Sequence, residues 1–304
     1  MVNQVFFPGL GLGFTLDRVA FHVLGRPVYW YGIIIASGLL LAVWLCCKWG
    51  KRFGITEDQI TDMMLFAVPA ALVCIRAYYV IFNLGQYRNA DGSMNWAAVF
   101  RYSDGGLAIY GGIIAGALVV YFVCRKKKVP VPAFLDLVVF GLLIGQIVGR
   151  WGNFMNREAF GAETDIFCRM GLIAPDGSTI YVHPTFLYES LWNLGVLIFL
   201  IVFTKKGKRR YDGQCLLLYF LLYGLGRAWI EGLRTDSLYI GDTGIRVSQA
   251  LSLALVLVSL VILIIQSRRP HPPEKLFVNQ VRSREEAAAA EAAAADKEEK
   301  EIQS

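Results

Sequence analysis

The chain has 304 residues, 56% of them hydrophobic and 18% charged, with a formal net charge of +6 and a mean hydropathy of +0.48. A soluble domain averages about 45–50% apolar and about 25% charged residues, so an ordinary soluble protein is excluded. The basic excess lies mostly in alternate loops, where it sets membrane topology and gives no reason to expect nucleic acid as a partner.

Residues 1–27 hold Pro8 and several glycines and lack the basic-then-apolar pattern of a cleaved signal peptide, so they are expected to form an outer interfacial arm. Seven apolar spans follow, at 28–47, 61–84, 107–124, 133–151, 184–203, 214–230 and 247–266. Each is near the roughly 20 residues needed to cross hydrocarbon. Lys48, Lys51 and Arg52 follow the first span, Arg125, Lys126, Lys127 and Lys128 the third, Lys205, Lys206, Lys208, Arg209 and Arg210 the fifth, and Arg268 and Arg269 the seventh. Cytoplasmic loops retain Lys and Arg, which places the N-terminus outside and the C-terminus in the cytoplasm. The expected fold is an all-α membrane protein of seven transmembrane helices with a small outer head.

Between spans two and three, Asn89-Ala90-Asp91-Gly92 reads as a turn and Ser103-Asp104-Gly105-Gly106 as a helix start. Gly112 and Gly116 in span three, and Gly141, Gly145 and Gly149 in span four, have the spacing that lets membrane helices approach closely. The outer segment 152–183 contains Pro175-Asp176-Gly177 between two short apolar runs, the pattern of a β-hairpin in the outer head. Residues 28–269 therefore form one membrane domain. Pro270, Pro272 and Pro273 end the last helix, and 285–301 is rich in alanine and glutamate without a wide apolar face. Residues 270–304 are expected to be a solvated cytoplasmic tail, disordered or helical, outside the active machinery.

The ionisable groups gather at the outer ends of spans. Arg150, Arg157 and Glu158 follow span four, His183 and Glu189 open span five, and Arg227, Glu231 and Arg234 close span six. If span six stays helical, positions 227, 231 and 234 share one face, as a ligand site or as a structural ion pair. Arg76, inside span two, needs a glutamate partner or a wet cavity, or it extends the cationic site. Guanidinium groups match phosphate oxygens with a planar fork. Several of them at the outer leaflet suggest an anionic ligand with an apolar body, such as a phospholipid. The alternative is a secondary transporter or channel for an anionic solute. No His/Cys/Asp cluster has metal-ligand spacing, and no metal or cofactor is expected.

The run Gly149-Arg150-Trp151-Gly152-Asn153-Phe154, followed by Asn156, Glu158 and Gly161, resembles the motif of the prolipoprotein diacylglyceryl transferases. Tyr29-Trp30-Tyr31-Gly32, residues 105–112, His183-Pro184 through Tyr188-Glu189, and Gly226-Arg227 through Glu231 to Arg234 resemble further motifs of that family in the same order, over about residues 20–266. The resemblance implies a multi-pass enzyme of the bacterial inner (cytoplasmic) membrane with its active site toward the outer leaflet. It implies transfer of an sn-1,2-diacylglyceryl group from phosphatidylglycerol to the lipobox cysteine of a preprolipoprotein, giving a thioether and glycerol 1-phosphate. Membrane lipids surround the site.

Carried over residue by residue, the resemblance makes Arg150 and Arg227 phosphate clamps. It lets Asn153 and Asn156 hold headgroup or glyceryl oxygens, and Glu158, Glu189 and Glu231 orient the arginines or the substrate. Gly161 permits a close turn, Tyr31 lines the site, and His183 and Arg234 join the substrate-binding set. Tyr110 stands where some members carry a histidine, a candidate base. A phenol with pKa about 10 is a poor base near neutrality, so either Tyr110 positions a group or proton removal falls to Glu158 or His183. Arg157 meets no required match and is expected to tolerate lysine.

Overall fold

The computed structural model describes residues 4–302 apart from 90, 103, 104, 175, 240 and 242. It is mostly helical, and seven of its helices are long and apolar enough to cross a membrane. These are α1 (Trp30–Gly50), α2 (Glu57–Phe82), α4 (Ile109–Lys127), α5 (Val131–Asn156), α6 (Thr185–Lys205), α7 (Gln214–Leu233) and α8 (Val247–Ser267), with the single-turn α3 (Trp96–Val99) ahead of α4.

Two boundaries differ from the expected spans for local reasons. Helix α2 begins at Glu57, because Thr56 and Gln59 form a reciprocal capping box that satisfies two otherwise orphaned N–H groups. Helix α5 continues to Asn156, five residues past the expected end at Trp151, and its final turn carries Asn153 and Asn156 on either side of Phe154 and Met155. It stops at Arg157, which takes a left-handed conformation (φ 53°). The helix start expected at 103–106 falls at Ile109 instead, and Ser103 and Asp104, like Ala90 and Pro175 of the expected turns, lie outside the described residues.

Helix α5 is the centre of the bundle, packing on α1, α6 and α7, while α2 pairs with α4 and α7 with α8. Leu137, Phe140 and Leu143 of α5 are fully buried against Trp49, Leu200 and Cys215. Small residues set the closest approaches, though not all where the spacing places them. Gly38 lies under Val148, Gly141 against Ala42 and Cys46, and Gly111 and Gly112 against Cys74 and Ile75, whereas Gly116 and Gly145 face open space. Leu40, Trp44, Leu65, Ile114, Leu257 and Val258 are exposed, as suits helices surrounded by lipid.

The chain is not all-α. Strands β1 (Gln4–Phe7) and β2 (Leu12–Thr15) form a four-stranded antiparallel sheet with β5 (Met170–Ile173) and β6 (Thr179–Val182), in the order β2-β1-β5-β6. The β5–β6 hairpin forms where the turn pattern placed it, with Leu172 opposite Ile180. Residues 1–27 were expected to form an outer interfacial arm, with no strand assigned. Instead β1 pairs with β5, Phe6 opposite Gly171. A second hairpin, β3 (Val19–Val23) and β4 (Arg26–Tyr29), leads into α1. Val5, Phe7 and Leu172 pack with Phe154 of α5 and Phe186 of α6, so the sheet rests on the adjoining ends of these helices.

The tail is helical, one of its two expected states, but its start is not solvated. Its segment after Pro273 forms α9 (Phe277–Ile302), and the start of that helix is docked. Phe277 is buried in the main core, its N–H donates to Asp212 Oδ2 at 3.0 Å, and Val278 passes so close to Gly54 that a Cβ there would lie 2.9 Å from its Cα. One aromatic residue and one carboxylate suffice to hold the turn, with no need for a wide apolar face.

Candidate active site

The ends of α5, α6 and α7 meet beneath the four-stranded sheet. Close packing makes this possible: Gly226 lies flat under the Trp192 indole, where any side chain would collide, and Trp192 Nε1 donates to the Leu222 carbonyl at 2.9 Å. The next residue of α7, Arg227, is thereby brought to α6.

Glu189 is the hinge of the arrangement. It is 2% exposed, and each of its oxygens meets a different arginine: Oε1 pairs with Arg150 Nη2 at 2.5 Å and Oε2 with Arg227 Nη1 at 2.9 Å. Arg227 Nη2 also lies 2.6 Å from Glu231 Oε2, one turn along α7. The ion-pair reading of Arg227 and Glu231 is therefore correct, within a larger network. Arg150 Nη1 donates to Asn153 Oδ1 at 3.2 Å, Asn153 Nδ2 donates to Glu158 at 3.0 Å, and Asn156 Nδ2 donates to the same Glu158 oxygen at 3.2 Å. A continuous polar chain thus runs Glu231–Arg227–Glu189–Arg150–Asn153–Glu158–Asn156, across three helices.

The two arginines and the two buried glutamates, Glu189 and Glu231, balance in formal charge, which lowers the cost of keeping them at the end of an apolar bundle, while the third, Glu158, is exposed. The arginine side chains keep some access, 20% for Arg150 and 14% for Arg227. A guanidinium has five N–H donors, and the contacts above use two of those on Arg150. Donors remain for an anion.

The turn after α5 is built tightly. Arg157 and Ala159 both have positive φ. Gly161 N–H donates to the His183 carbonyl at 2.9 Å and Ala162 N–H to the Leu233 carbonyl at 2.7 Å, tying the exit of α5 to the start of α6 and the end of α7. A Cβ on Gly161 would lie 2.7 Å from His183 Cβ and 2.9 Å from the Leu233 oxygen, so only glycine fits. Tyr31 packs its ring on Gly152, one residue before Asn153. His183 Nδ1 is 3.3 Å from the Tyr188 hydroxyl, which also contacts Cys168 Sγ at 3.5 Å. Burial holds the His183 imidazole below its ordinary range, so it is neutral at pH 7.

Four expected residues stand elsewhere or do something else. Helix α7 ends at Leu233, so Arg234 leaves the face shared by Arg227 and Glu231 and binds Asp236 through both arms of its fork, at 2.9 and 2.7 Å. That bond holds the Asp236 carboxyl below the usual range. Tyr110, on the α2–α4 pair, is 50% exposed and has Tyr78 as its ring neighbour, 6.3 Å away. Arg76 neither meets a glutamate nor joins the cationic cluster. It is buried and donates to the carbonyls of Ala98, Val99, Arg101, Gly105 and Gly106, holding together the loop before α4. Arg157 is buried rather than free, and its Nη1 donates to the Leu16 carbonyl at 2.6 Å, docking the arm on the turn.

The sequence reading passed over several participants. Arg18 donates to the Asn156 carbonyl at 2.7 Å, and Arg246 to that of Glu231 at 2.7 Å. Gln146 donates to the Tyr219 hydroxyl at 2.7 Å, and Asn193, one turn after Glu189, is fully buried with no hydrogen-bond partner for its amide. Gln146 and Asn193 each carry one signal, a polar side chain one helical turn from a named residue, and Arg18 and Arg246 carry none.

The sequence as a whole is similar to those of known proteins. A family model described as "Prolipoprotein diacylglyceryl transferase" matches residues 18–265. Three relatives bear the name "Phosphatidylglycerol--prolipoprotein diacylglyceryl transferase". The Enterococcus faecalis protein is 43% identical over 263 residues, covering 84% of this chain and 92% of its own. The Clostridioides difficile protein is 42% identical over 238 residues (78% and 90%), and the Bacillus cytotoxicus protein 40% over 260 residues (83% and 93%).

Proposed function

The chain belongs to the prolipoprotein diacylglyceryl transferase family, and from that premise we propose how its residues perform the transfer. It is a multi-pass membrane enzyme that carries out the first step of lipoprotein maturation, moving a diacylglyceryl group from phosphatidylglycerol to a prolipoprotein. The anionic-solute transporter reading has no support from the relatives.

In our reading the acceptor is the thiol of the lipobox cysteine. The carbon–oxygen bond of the glyceryl group to phosphate breaks, a carbon–sulfur bond forms, and glycerol 1-phosphate leaves. Two charges must be managed. The thiol, with a reference pKa about 8.5, has to lose its proton, and the leaving phosphate has to be held as its charge grows. Arg150 and Arg227 hold the phosphate. The carrying observation is that they converge from two helices on the two oxygens of one buried carboxylate, Glu189. That carboxylate fixes both forks before substrate arrives, so little reorganisation is needed during reaction. Asn153 and Asn156, aligned by Glu158, face the headgroup or glyceryl oxygens, with Tyr31 lining the site. His183 takes the thiol proton: burial keeps its ring neutral and ready to accept. Tyr110, with Tyr78 as its ring neighbour on the α2–α4 pair, has a positioning role, and Arg234 braces the end of α7 through Asp236.

We further place this site toward the outer leaflet of the bacterial inner membrane, with the sheet as a small outer head and residues 28–269 as the membrane domain. Supporting this, the basic loops after α1, α4, α6 and α8 lie at the far ends of these helices from the arginine network. The decisive experiment mixes the purified protein with phosphatidylglycerol and a lipobox peptide. A mass gain of one diacylglyceryl unit on the peptide cysteine is expected; an unmodified cysteine with intact enzyme overturns the reading.

A further inference from the structure

At the opposite end of the bundle, the segments at the ends of α1 and α6 and the first turns of α9 border a half-open cavity of about 690 Å³. Thr204 at its rim lies about four turns beyond Glu189 on α6, roughly 22 Å along the axis at 1.5 Å per residue. Lys48, Lys51, Arg52, Arg209, Arg210 and Arg282 line it, and no acidic side chain does. Topology explains cations at this end, but it does not make them converge on one space.

The nearby carboxylates are spent elsewhere. Asp136 accepts from Gly213 N–H and Leu216 N–H, and Asp212 from Phe277 N–H. Their remaining contacts go to a single atom, Arg209 Nη1, 3.2 Å from each. Arg209 is buried, and its Nη2 has no hydrogen-bond partner. That atom is shielded from the cavity, and the guanidinium lies over the Phe53 ring at 4.6 Å, which leaves the other five cations to face the space. Among the described residues, the other five cations have no carboxylate within ion-pair distance. Lys48 lies over the exposed Trp44 ring at 4.9 Å, and a tryptophan so placed marks the headgroup level of a membrane, while Arg52 lies over the buried Trp49 at 5.2 Å.

We propose that this cavity binds a phosphate group, that of an anionic phospholipid headgroup in the leaflet opposite the active site, and that the docked start of α9 completes the site through Arg282. Phosphate is the fitting acceptor because several guanidinium and ammonium groups share its oxygens. The tail helix thus acts as a clasp over a bound lipid.

Full-length protein in nanodiscs tests this. A water-soluble N-hydroxysuccinimide ester acylates lysines, and mass spectrometry reads Lys48 and Lys51 against Lys126 and Lys128, which lie on another basic loop. Three arms are compared: phosphatidylcholine alone, phosphatidylcholine with phosphatidylglycerol, and phosphatidylcholine with added inorganic phosphate. Phosphatidylglycerol should slow Lys48 and Lys51 several-fold more than Lys126 and Lys128. Protection by inorganic phosphate alone would support the phosphate chemistry and overturn the lipid as its source. Arg282→Ala should raise the phosphatidylglycerol needed for half-protection about fivefold, the worth of one cation at an anionic surface, while peptide lipidation is unchanged. Equal slowing of all four lysines in every arm overturns the site. Full protection in Arg282→Ala removes the tail from it.

Discussion

Glu189 bears two arginines on one side chain, so it is the residue whose loss the site tolerates least. Breaking a buried ion pair costs about 3–5 kcal/mol, and the partial exposure of Arg150 points to the lower end. Glu189→Gln should lower thermal stability in detergent measurably and abolish peptide lipidation; an unchanged melting temperature would show that the two arginines do not depend on it. Arg150→Lys keeps the charge and loses the fork. It should cost roughly 10²–10³ in lipidation rate, the worth of a preorganised donor at a developing charge, with normal membrane insertion, and near wild-type turnover would exclude a two-pronged contact. For His183 the pH profile decides. A general base contributes about 10²–10⁴, and a solution thiol ionises near pH 8.5 unaided. His183→Gln should therefore be most impaired at pH 6.5–7 and recover toward pH 9; a deficit independent of pH would assign His183 to structure alone. Most of these residues were legible in the sequence, because an arginine or glutamate beside an apolar run is conspicuous. Their connectivity was not. Nothing in the spacing indicates that Arg150 and Arg227 share Glu189, or that Arg157 spends its guanidinium on the Leu16 carbonyl.

Among elements, hydropathy located the seven spans and mis-set the ends that carry chemistry. The last turn of α5 carries Asn153 and Asn156, and it stays helical because these asparagines and Glu158 satisfy one another, an arrangement that hydropathy cannot register. Pairing of β1 with β5 was equally hidden, since a strand's partner is fixed by tertiary contact and not by its own alternation. The α6–α7 approach at Gly226 offers a test at this scale. Gly226→Leu would drive a side chain into the Trp192 indole and move Arg227 away from Glu189. Activity should fall at least as far as in Arg150→Lys, although no polar group is removed. Full activity would mean that α7 does not need this close approach.

For the whole molecule, the tail divides in two. Removing residues after about 284 should leave thermal stability and lipidation unchanged. Truncation after Pro273 also deletes Phe277 and the donor to Asp212. Burying a phenylalanine is worth about 1.5–3 kcal/mol, and a lost hydrogen bond at a buried acceptor adds to it. That truncation should lower the melting temperature while the remote arginine network keeps its chemistry, and identical melting curves for the two truncations would show that the docking contributes nothing. The proposed orientation has its own measurement: cysteines introduced in 152–183 should react with an impermeant reagent only from outside, and those at 125–128 only from the cytoplasm.

The pairing of Phe6 with Gly171 also governs the order in which the protein can be made. Strand β1 leaves the ribosome well before β5, the strand it completes, which follows only after four membrane helices. At about 5–20 residues per second, the wait is roughly 8–33 s. During synthesis the β1–β2 ribbon is thus an open-edged hairpin, with Val5 and Phe7 still lacking the cover that Leu172, Phe154 and Phe186 later supply. Whatever holds that ribbon soluble in the interval, whether the headgroup layer or a folding factor at the membrane, is a demand placed on the cell by one antiparallel register.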